Sequence, residues 1–396
     1  MARVLCAWEF GGDLGHIRTL LPIAGELRAL GHEALFAFRD ATRLDAILEH
    51  GFEGFPAPQL RQPRALDPLP ANLSDILLNL GYGDGAALSG ALRAWRSLFE
   101  LARIDALVCE YAPTALLAAR AAGLPRMGVG GGFALPAPGE PLPALRPWAK
   151  HDPAHLAECD ARLVAAVARA LPAGAAAPRS AREVFAADVD LVTTFPELDP
   201  FGERDNVSYE GPLDLPSGGL ELAWREAGGG IPRVFAYLKP HDARFEALIA
   251  ALHASGAEAI VAAPGLDARQ AAAASHGRVR VVPASVDPAR LLEQASLCLC
   301  HAGPGLAAHA LLAGVPMALL PLHLEQLLVA RGLVARGCAL MLEADVTGGL
   351  AAWVMQALET PALREGAGAI AERHRGYSFS ASARRIAHRV EHLARA

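Results

Sequence analysis

The segment from residue 296 to residue 337 restricts the fold more than any other part of the chain. It contains an apolar run at 297–300, a glycine-containing loop at 301–305 and a second apolar run at 306–312 that ends near Gly314. The first run has the length of a buried strand, and the second is typical of a helix. The segment therefore predicts a strand, a tight loop and a helix. The N–H groups that begin such a helix have no intrahelical partner and, together with the helix dipole, attract phosphate.

The residues after this helix extend the pattern. A further apolar run at 317–320 predicts a second strand that stops at a proline. The whole order resembles the donor-sugar signature of the family-1 glycosyltransferases of GT-B fold, the group that includes macrolide and plant secondary-metabolite glycosyltransferases. That signature is a His, a glycine loop, a helix, Gly-Val-Pro, a second strand ending in Pro, and an acid followed by Gln. The chain supplies its members in order as His301, Gly303, Gly305, Gly314-Val315-Pro316, Pro321, Glu325-Gln326 and Gly337.

Chain length and the pattern of apolar runs predict two α/β domains. A chain of 396 residues exceeds the size of one ordinary core. A β-α-β unit at 3–38 and a second series of β-α units from residue 233 indicate parallel, doubly wound sheets. The resemblance implies the GT-B arrangement, in which two Rossmann-like domains face each other across a cleft and the C-terminal helix crosses back. We expect an acceptor-binding domain, a linker, a nucleotide-sugar domain and a C-terminal helix packed on the first domain, at residues 1–210, 211–231, 232–376 and 377–396.

The loop after the first strand is a second candidate site. The apolar run at 3–8 leads into Gly11-Gly12-Asp13-Leu14-Gly15-His16. This spacing differs from the G-x-G-x-x-G fingerprint and therefore disfavours a nicotinamide dehydrogenase. We expect the next helix to use Thr19 as its N-cap, with Pro22 in its first turn. The loop resembles the family's Gly-His loop, and this resemblance makes His16 the general base. The alternative interpretation of His16, from its position alone, is a solvent-facing loop histidine.

Two further strand ends are predicted at the same rim. Glu110 ends the strand predicted at 106–110, where the family commonly has an Asp that orients the catalytic His. A carboxylate favoured by the dipole of the next helix is the alternative interpretation. Gly132 and Phe133 follow the next strand, and we assign them to acceptor binding. The resemblance also implies that an insertion, Pro-rich at 59–74 and largely helical at 73–101, shapes the acceptor pocket.

The resemblance implies that a UDP- or TDP-linked sugar binds to the second domain. Glu325 and Gln326 would hold sugar hydroxyls, because an acid and an amide together offer acceptors and donors. Lys239, which directly follows a strand, would meet the diphosphate as a point charge, or would be an ordinary surface lysine. The diphosphate would lie at His301, and the remaining predicted donor contacts are Gly15, Val282, Ala302, Gly303, Pro304, Gly305 and Leu306.

Several positions depart from the family pattern. Leu306 stands where the family has a Ser or Thr that donates to phosphate, and His309 stands where it has the acid that grips the ribose. Val329 replaces an Asn after the Glu-Gln pair. The Trp and Gln that frame the base in plant members are absent near residues 282–284. These departures imply either an altered donor or a member that has lost catalysis.

Composition excludes several other classes of protein. Lys and Arg number 36 against 42 Asp and Glu, and the net charge of −6 gives no reason to expect nucleic acid or an acidic membrane as partner. No apolar run reaches the roughly 20 residues of a membrane span. The first residues lack the features of a signal peptide. No second pair follows Cys298-x-Cys300-His301 at ligand spacing, so we expect buried thiols rather than a metal cluster, in a reducing cytoplasm.

These observations predict an inverting glycosyltransferase that moves a sugar from a nucleotide-diphosphate donor to a small, hydrophobic acceptor without a cofactor or metal ion. The acceptor nucleophile would be a hydroxyl, an amine or a thiol. A non-catalytic GT-B protein that activates a biosynthetic enzyme is one alternative, which Leu306 and His309 favour. A sugar-nucleotide epimerase or a phosphorylase of the same fold is another. The sequence leaves the sugar, the acceptor and the oligomeric state open.

Overall fold

The computed structural model describes residues 1–12, 15–60, 69–214, 219–225, 230–343 and 349–395. The chain forms two compact units. The first unit comprises Met1–Thr194, Arg204–Asp214 and Phe379–Ala396, and the second comprises Phe195–Glu203 and Leu215–Ser378. Among the described residues, none of the helices is long and apolar enough to cross a membrane.

A parallel sheet forms the centre of the first unit. Its strands are β1 (Arg3–Trp8), β2 (Glu33–Phe38), β3 (Glu53–Pro56), β4 (Ala106–Glu110), β5 (Arg126–Gly130), β6 (Val189–Val192) and β7 (Ser208–Tyr209). They lie in the order β3-β2-β1-β4-β5-β6-β7, and every neighbouring pair is parallel. All residues of β4 are buried, because helices cover both faces of a parallel sheet.

A second parallel sheet forms the centre of the second unit. Its strands are β8 (Arg233–Tyr237), β9 (Glu258–Ala262), β10 (Val279–Val282), β11 (Leu297–Cys300), β12 (Met317–Leu319) and β13 (Ala339–Met341). The order is β10-β9-β8-β11-β12-β13, again parallel throughout. In the first sheet β1 lies between β2 and β4, and in the second sheet β8 lies between β9 and β11. The strand order therefore reverses beside the first strand of each unit. The predicted doubly wound α/β class is therefore confirmed.

Helices connect these strands. Those that precede β8 are α1 (Gly15–Ala29), α2 (Leu44–Leu48), α3 (Leu73–Leu77), α4 (Gly85–Leu101), α5 (Pro113–Ala122), α6 (Pro153–Ala170) and α7 (Ala181–Phe185). Those that follow β8 are α8 (Phe245–Ala254), α9 (Ala268–Ala274), α10 (Ala289–Leu292), α11 (Pro304–Leu312), α12 (Leu324–Ala335), α13 (Gly349–Glu359), α14 (Pro361–Arg373) and α15 (Phe379–Arg395). Single helical turns lie at Ala41–Arg43, Leu78–Tyr82 and Pro196–Leu198.

The start of α1 differs from the prediction. The helix begins at Gly15, so Thr19 is not its N-cap and Pro22 lies inside the helix rather than in its first turn. The Thr19 hydroxyl donates to the backbone oxygen of Gly15 at 3.2 Å. A threonine hydroxyl within a helix commonly bonds to the carbonyl one turn earlier, and this local bond replaces the capping role. The early start places His16 in the first turn of α1.

Helix α15 belongs to the first unit, as the fold prediction required. Its Ser382 hydroxyl donates to the backbone oxygen of Glu210 at 2.6 Å. The guanidinium groups of Arg385 and Arg389 lie 3.1 Å and 2.7 Å from the buried carboxylate of Glu210. A buried carboxylate needs such partners, because an uncompensated charge in a core costs several kcal/mol.

The six cysteines are buried thiols. Cys298 and Cys300 lie on the same face of β11, in a core cluster that also contains Phe235 and Met317. Leu297 and Leu299 face the opposite cluster. The strand is thus packed on both sides, and its two thiols contribute to the core.

Candidate functional site

The first candidate site lies at the carboxyl ends of β1 and β4. These strands are neighbours, with Trp8 of β1 opposite Glu110 of β4. The chain winds outward from β1 to β2 in one direction and from β4 to β5 in the other. Open α/β sheets bind ligands in the crevice that this reversal creates. His16 follows β1 and Glu110 ends β4, so the topology brings the two predicted catalytic residues together.

The imidazole of His16 is fixed by two contacts. Its Nδ1 is hydrogen-bonded to Oε2 of Glu110. Its ring stacks on the indole of Trp8, with centroids 5.3 Å apart and planes inclined by 21°. The side chains of His16 and Glu110 are 17% and 8% exposed. When Nδ1 donates its proton to a carboxylate, the neutral ring carries its lone pair on Nε2, which is the tautomer a general base requires.

Two glycines leave room for this pair. A Cβ atom on Gly11 would overlap Nε2 of His16, and the positive φ of 89° at Gly11 also favours glycine. A Cβ atom on Gly130, where φ is 153°, would lie 3.2 Å from Oε1 of Glu110. Both glycines therefore permit the backbone to approach the His16–Glu110 pair more closely than any other residue could.

A row of aromatic rings borders His16. Tyr111 lies 6.3 Å from the His16 ring and packs edge-on against Phe10 at 5.9 Å. Phe133 packs edge-on against Tyr111 at 6.4 Å, and the Phe10 ring lies 6.4 Å from Tyr82. Of these rings, the sequence prediction named only Phe133. Phe10 lies two residues after the end of β1, and Tyr111 lies directly after the end of β4. Their positions at the strand ends could have identified them from the sequence.

Gly132 and Phe133 lie on the loop after β5, as predicted. Gly132 is buried with φ at 101°, a conformation that glycine adopts without strain. Phe133 is half-buried beside Tyr111. The structure therefore brings this loop to the same aromatic row that borders His16.

The buried carboxyl group of Glu9 was missed by the sequence prediction. Glu9 is completely buried, and its Oε2 accepts a hydrogen bond from the Thr114 N–H at 2.9 Å, at the start of α5. Burial raises the pKa of Glu9 to about 8, and the hydrogen bonds from Thr114 oppose this rise. At neutral pH the group is therefore mainly an uncharged acid, buried directly after β1.

The second candidate site lies at the equivalent position of the second sheet. Lys239 follows β8 and His301 follows β11, and these strands are neighbours at the reversal of the strand order. The Lys239 N–H donates to Nε2 of His301 at 3.0 Å, and Nδ1 of His301 bonds to the backbone oxygen of Leu320 at 2.8 Å. The pKa of His301 is lowered by burial. The neutral ring therefore joins the carboxyl ends of β8, β11 and β12.

The predicted phosphate loop leads directly into α11. Ala302 is buried and has φ at 61°, and Gly303 caps the helix with Pro304 in its first turn. The first intrahelical hydrogen bond joins the Ala307 N–H to the backbone oxygen of Gly303 at 3.0 Å. The N–H groups of Gly305 and Leu306 precede this bond and point along the helix toward its start.

Leu306 has a packing role. Its half-buried side chain packs against the core cluster that contains Ala302 and Ala307. Val282, at the end of β10, belongs to the same cluster and is 8% exposed. These two predicted donor contacts therefore pack in or against the core of the second unit.

The remaining predicted donor residues lie on two different elements. Glu325 and Gln326 lie in the first turn of α12 and are half-buried. Oε1 of Gln326 accepts a hydrogen bond from the Leu322 N–H at 2.9 Å, which fixes the amide at the end of the β12–α12 loop. Gly15 is the exposed first residue of α1 and lies in the first unit, so its assignment to the donor stays a prediction.

The sheets, their strand orders and the return of α15 to the first unit define the GT-B fold of glycosyltransferases, which the resemblance implied. Three solved structures illustrate the similarity. The kitacinnamycin glycotransferase is 20% identical over 99% of each chain, with a TM-score of 0.71. Glycosyltransferase VinC in complex with DTDP is 19% identical over 99% of each chain, with a TM-score of 0.66. Glycosyltransferase SsfS6 of Streptomyces sp. SF2575, complexed with thymidine diphosphate, is 18% identical over 99% of this chain and 100% of SsfS6, with a TM-score of 0.63.

At these identities the similarity establishes the fold alone. No protein-family model and no curated protein matches the sequence.

Proposed function

We propose that this protein is a glycosyltransferase that moves a sugar from a nucleotide-diphosphate donor to a small, apolar acceptor. The observation that carries the proposal is the His16–Glu110 pair at the reversal of strand order in the first sheet. A histidine whose Nδ1 is held by a carboxylate is the arrangement that general-base catalysis uses. The apolar character of the acceptor is inferred from the rings of Phe10, Tyr111 and Phe133 beside this pair.

In the proposed reaction, Nε2 of His16 takes the proton from the acceptor nucleophile. The nucleophile forms a bond to the anomeric carbon while the bond from that carbon to the diphosphate oxygen breaks. The nucleoside diphosphate leaves with the bonding electrons, and a single displacement inverts the anomeric configuration. Glu110 stabilises the imidazolium that forms, and its bond to Nδ1 keeps the ring oriented. Base catalysis of this kind contributes about 10² to 10⁴ in rate.

The donor is proposed to bind at the loop before α11. Its diphosphate would meet the N–H groups of Gly305 and Leu306, where the helix dipole favours negative charge. Lys239 would add a positive charge, and these groups together would stabilise the leaving diphosphate without a metal ion. Glu325 and Gln326 would hold the sugar hydroxyls. We propose TDP as the nucleotide because VinC and SsfS6 are described with thymidine diphosphate bound.

Two observations favour a second candidate, a non-catalytic GT-B protein that accompanies a biosynthetic enzyme. Leu306 packs against the core and supplies no hydroxyl to a phosphate. Both ring nitrogens of His301 bond to the protein's own backbone. These features weaken the side-chain contacts to a diphosphate, although they leave the backbone N–H groups of α11 in place.

Calorimetric titration with TDP and UDP, combined with slow hydrolysis of TDP-glucose in the absence of acceptor, tests both candidates. We expect TDP to bind, and we expect His16→Ala to keep the TDP affinity within about threefold while hydrolysis falls about 10² to 10⁴ fold. His50→Ala is the matched control, because His50 is an exposed histidine of the same unit. Failure of both nucleotides to bind would refute the donor site. Hydrolysis that His16→Ala leaves unchanged would refute the base, and nucleotide binding without any hydrolysis by the wild type would favour the non-catalytic protein.

A further inference from the structure

Three metal-ligating side chains converge in the first unit, away from the His16–Glu110 pair. Asp75 lies on α3, and His155 and Cys159 lie on α6. One ligand atom from each residue lies within 4.8 Å of the other two. Sγ of Cys159 is 3.8 Å from Nε2 of His155. The sequence does not reveal this cluster, because Asp75 is far from the other two residues along the chain.

Helix geometry brings the histidine and the cysteine together. His155 and Cys159 are four residues apart on α6, which places them on one face, one turn above the other. Their side chains therefore point at the same part of α3. This alignment is a property of the helix backbone and does not depend on a bound ion.

Hydrogen bonds hold the aspartate from the other side. One carboxylate oxygen of Asp75, Oδ2, accepts from the Ala71 N–H at 3.0 Å. The Asp75 N–H donates to Oδ1 of Asn72 at 3.1 Å. Asp160, the residue after Cys159, accepts from Asn72 Nδ2 at 2.8 Å and from the Ser74 hydroxyl at 2.6 Å. The two helices are thus joined beside the cluster, and the cluster needs little movement to close on an ion.

The chemistry of the three ligands matches zinc. A thiolate, an imidazole and a carboxylate bind Zn²⁺ at about 2.3, 2.0 and 2.1 Å, so their ligand atoms lie roughly 3.3 to 3.6 Å apart in a tetrahedral site. The Cys159–His155 separation of 3.8 Å exceeds this spacing by roughly 0.3 Å, and the other separations exceed it by at most about 1.5 Å. Cys159 and Asp75 are buried, whereas His155 is exposed. A fourth, water-occupied position would therefore face solvent on the side of His155.

We propose that Asp75, His155 and Cys159 bind one Zn²⁺ ion that cross-links α3 to α6. The Cys159 thiol releases its proton to solvent when it coordinates the ion. The resulting thiolate and the Asp75 carboxylate balance the two positive charges of the ion, so the buried site carries no net charge. The ion would join the two helices, and the proposal holds whether or not the protein is a glycosyltransferase.

Spectroscopic titration of the full chain with Co²⁺ tests the proposal, after chelator treatment and removal of the chelator. We expect one equivalent to bind with a near-ultraviolet thiolate-to-metal charge-transfer band, and one equivalent of Zn²⁺ to abolish the band. Cys159→Ser is expected to remove the band. His155→Ala is expected to weaken Zn²⁺ binding more than about 100-fold, since loss of a residue that only hydrogen-bonds to a ligand already costs about 10 to 100-fold. His155→Cys restores a ligand and is expected to restore tight binding.

The choice of variants keeps the test decisive. His155 is exposed, so its replacement does not threaten folding. His276→Ala is the control, because His276 stacks on His253 at 3.6 Å in the second unit and forms the alternative histidine pair for adventitious binding. The proposal is overturned by absence of Co²⁺ binding, by binding without the charge-transfer band, by binding that His155→Ala leaves intact, or by binding that His276→Ala removes.

Discussion

Replacement of the buried acid Glu9 by glutamine is expected to change how stability depends on pH. Glu9 is fully buried, and its pKa rises from 4.5 to about 8 because burial disfavours the carboxylate. Each pKa unit corresponds to about 1.36 kcal/mol, so a rise of this size amounts to roughly 5 kcal/mol. Hydrogen bonds from Thr114 and the charge of Arg39 act in the opposite direction, but burial outweighs them.

The sign of the effect follows from the direction of the shift. The folded protein keeps the proton on Glu9 up to about pH 8, whereas the unfolded chain releases it near pH 4.5. The contribution of the neutral acid to stability is therefore complete below about pH 4.5. It is lost progressively as the pH rises to about 8, and it does not change further above that value. Glutamine has the shape of the neutral acid and cannot ionise.

The assay is urea unfolding of the wild type and of Glu9→Gln at pH 5, 7 and 9. At pH 5 the folded wild type still holds Glu9 as a neutral acid, so we expect its free energy of unfolding to lie close to that of the variant. Between pH 5 and pH 9 the variant should gain on the wild type by roughly 4 kcal/mol, since a small part of the loss has already occurred at pH 5. A difference between the two proteins that stays constant from pH 5 to pH 9 would show that Glu9 is not held as a neutral acid, and the reasoning would be wrong.

Two glycine pairs give further predictions, each with its own control. Gly11→Ala places a methyl group against Nε2 of His16 and is expected to reduce sugar transfer about 100-fold, whereas Gly12→Ala meets nothing within 4 Å and should leave the rate unchanged. Equal rates in the two variants would contradict the placement of the imidazole. Gly366→Ala drives a methyl group into the backbone that follows α12 and is expected to cost about 1 to 3 kcal/mol in urea unfolding. Gly368→Ala lies in the same helix with open space and should stabilise by up to about 1 kcal/mol. A change in the free energy of unfolding with the same sign in both variants would refute the close packing of Gly366 against the backbone of Gly337.

The sequence predicted those parts of the fold whose signal is local. Strands β1, β4 and β11 are continuous apolar runs, and the structure places them within a residue or two of the predicted bounds. Strand β3 was not predicted, because its four residues are mostly exposed at the sheet edge and lack an apolar pattern. Strand β13 has only three residues, which is too short a run to identify.

The resemblance to the family's Gly-His loop and to its Asp led to the choice of His16 and Glu110, and their catalytic roles stay predictions. Their proximity follows from the topology, because the carboxyl ends of parallel strands meet at one edge of the sheet. The hydrogen bonds of His301 were not predictable, since one partner is a backbone N–H 62 residues earlier in the chain. Glu9 was missed for a different reason: its burial and raised pKa depend on what packs around it, which the residue type does not reveal.

The first unit is assembled from segments that lie far apart in the chain, and this has a consequence for the synthesis of the protein. Glu210 is buried against α15, yet Arg385 lies 175 residues further along the chain. At a translation rate of about 5 to 20 residues per second, the ribosome needs roughly 9 to 35 s to add that length. During this interval the nascent first unit lacks both its last helix and the cations that neutralise Glu210. Chaperones that recognise exposed apolar surface therefore have a defined period in which the surface later covered by α15 is accessible to them.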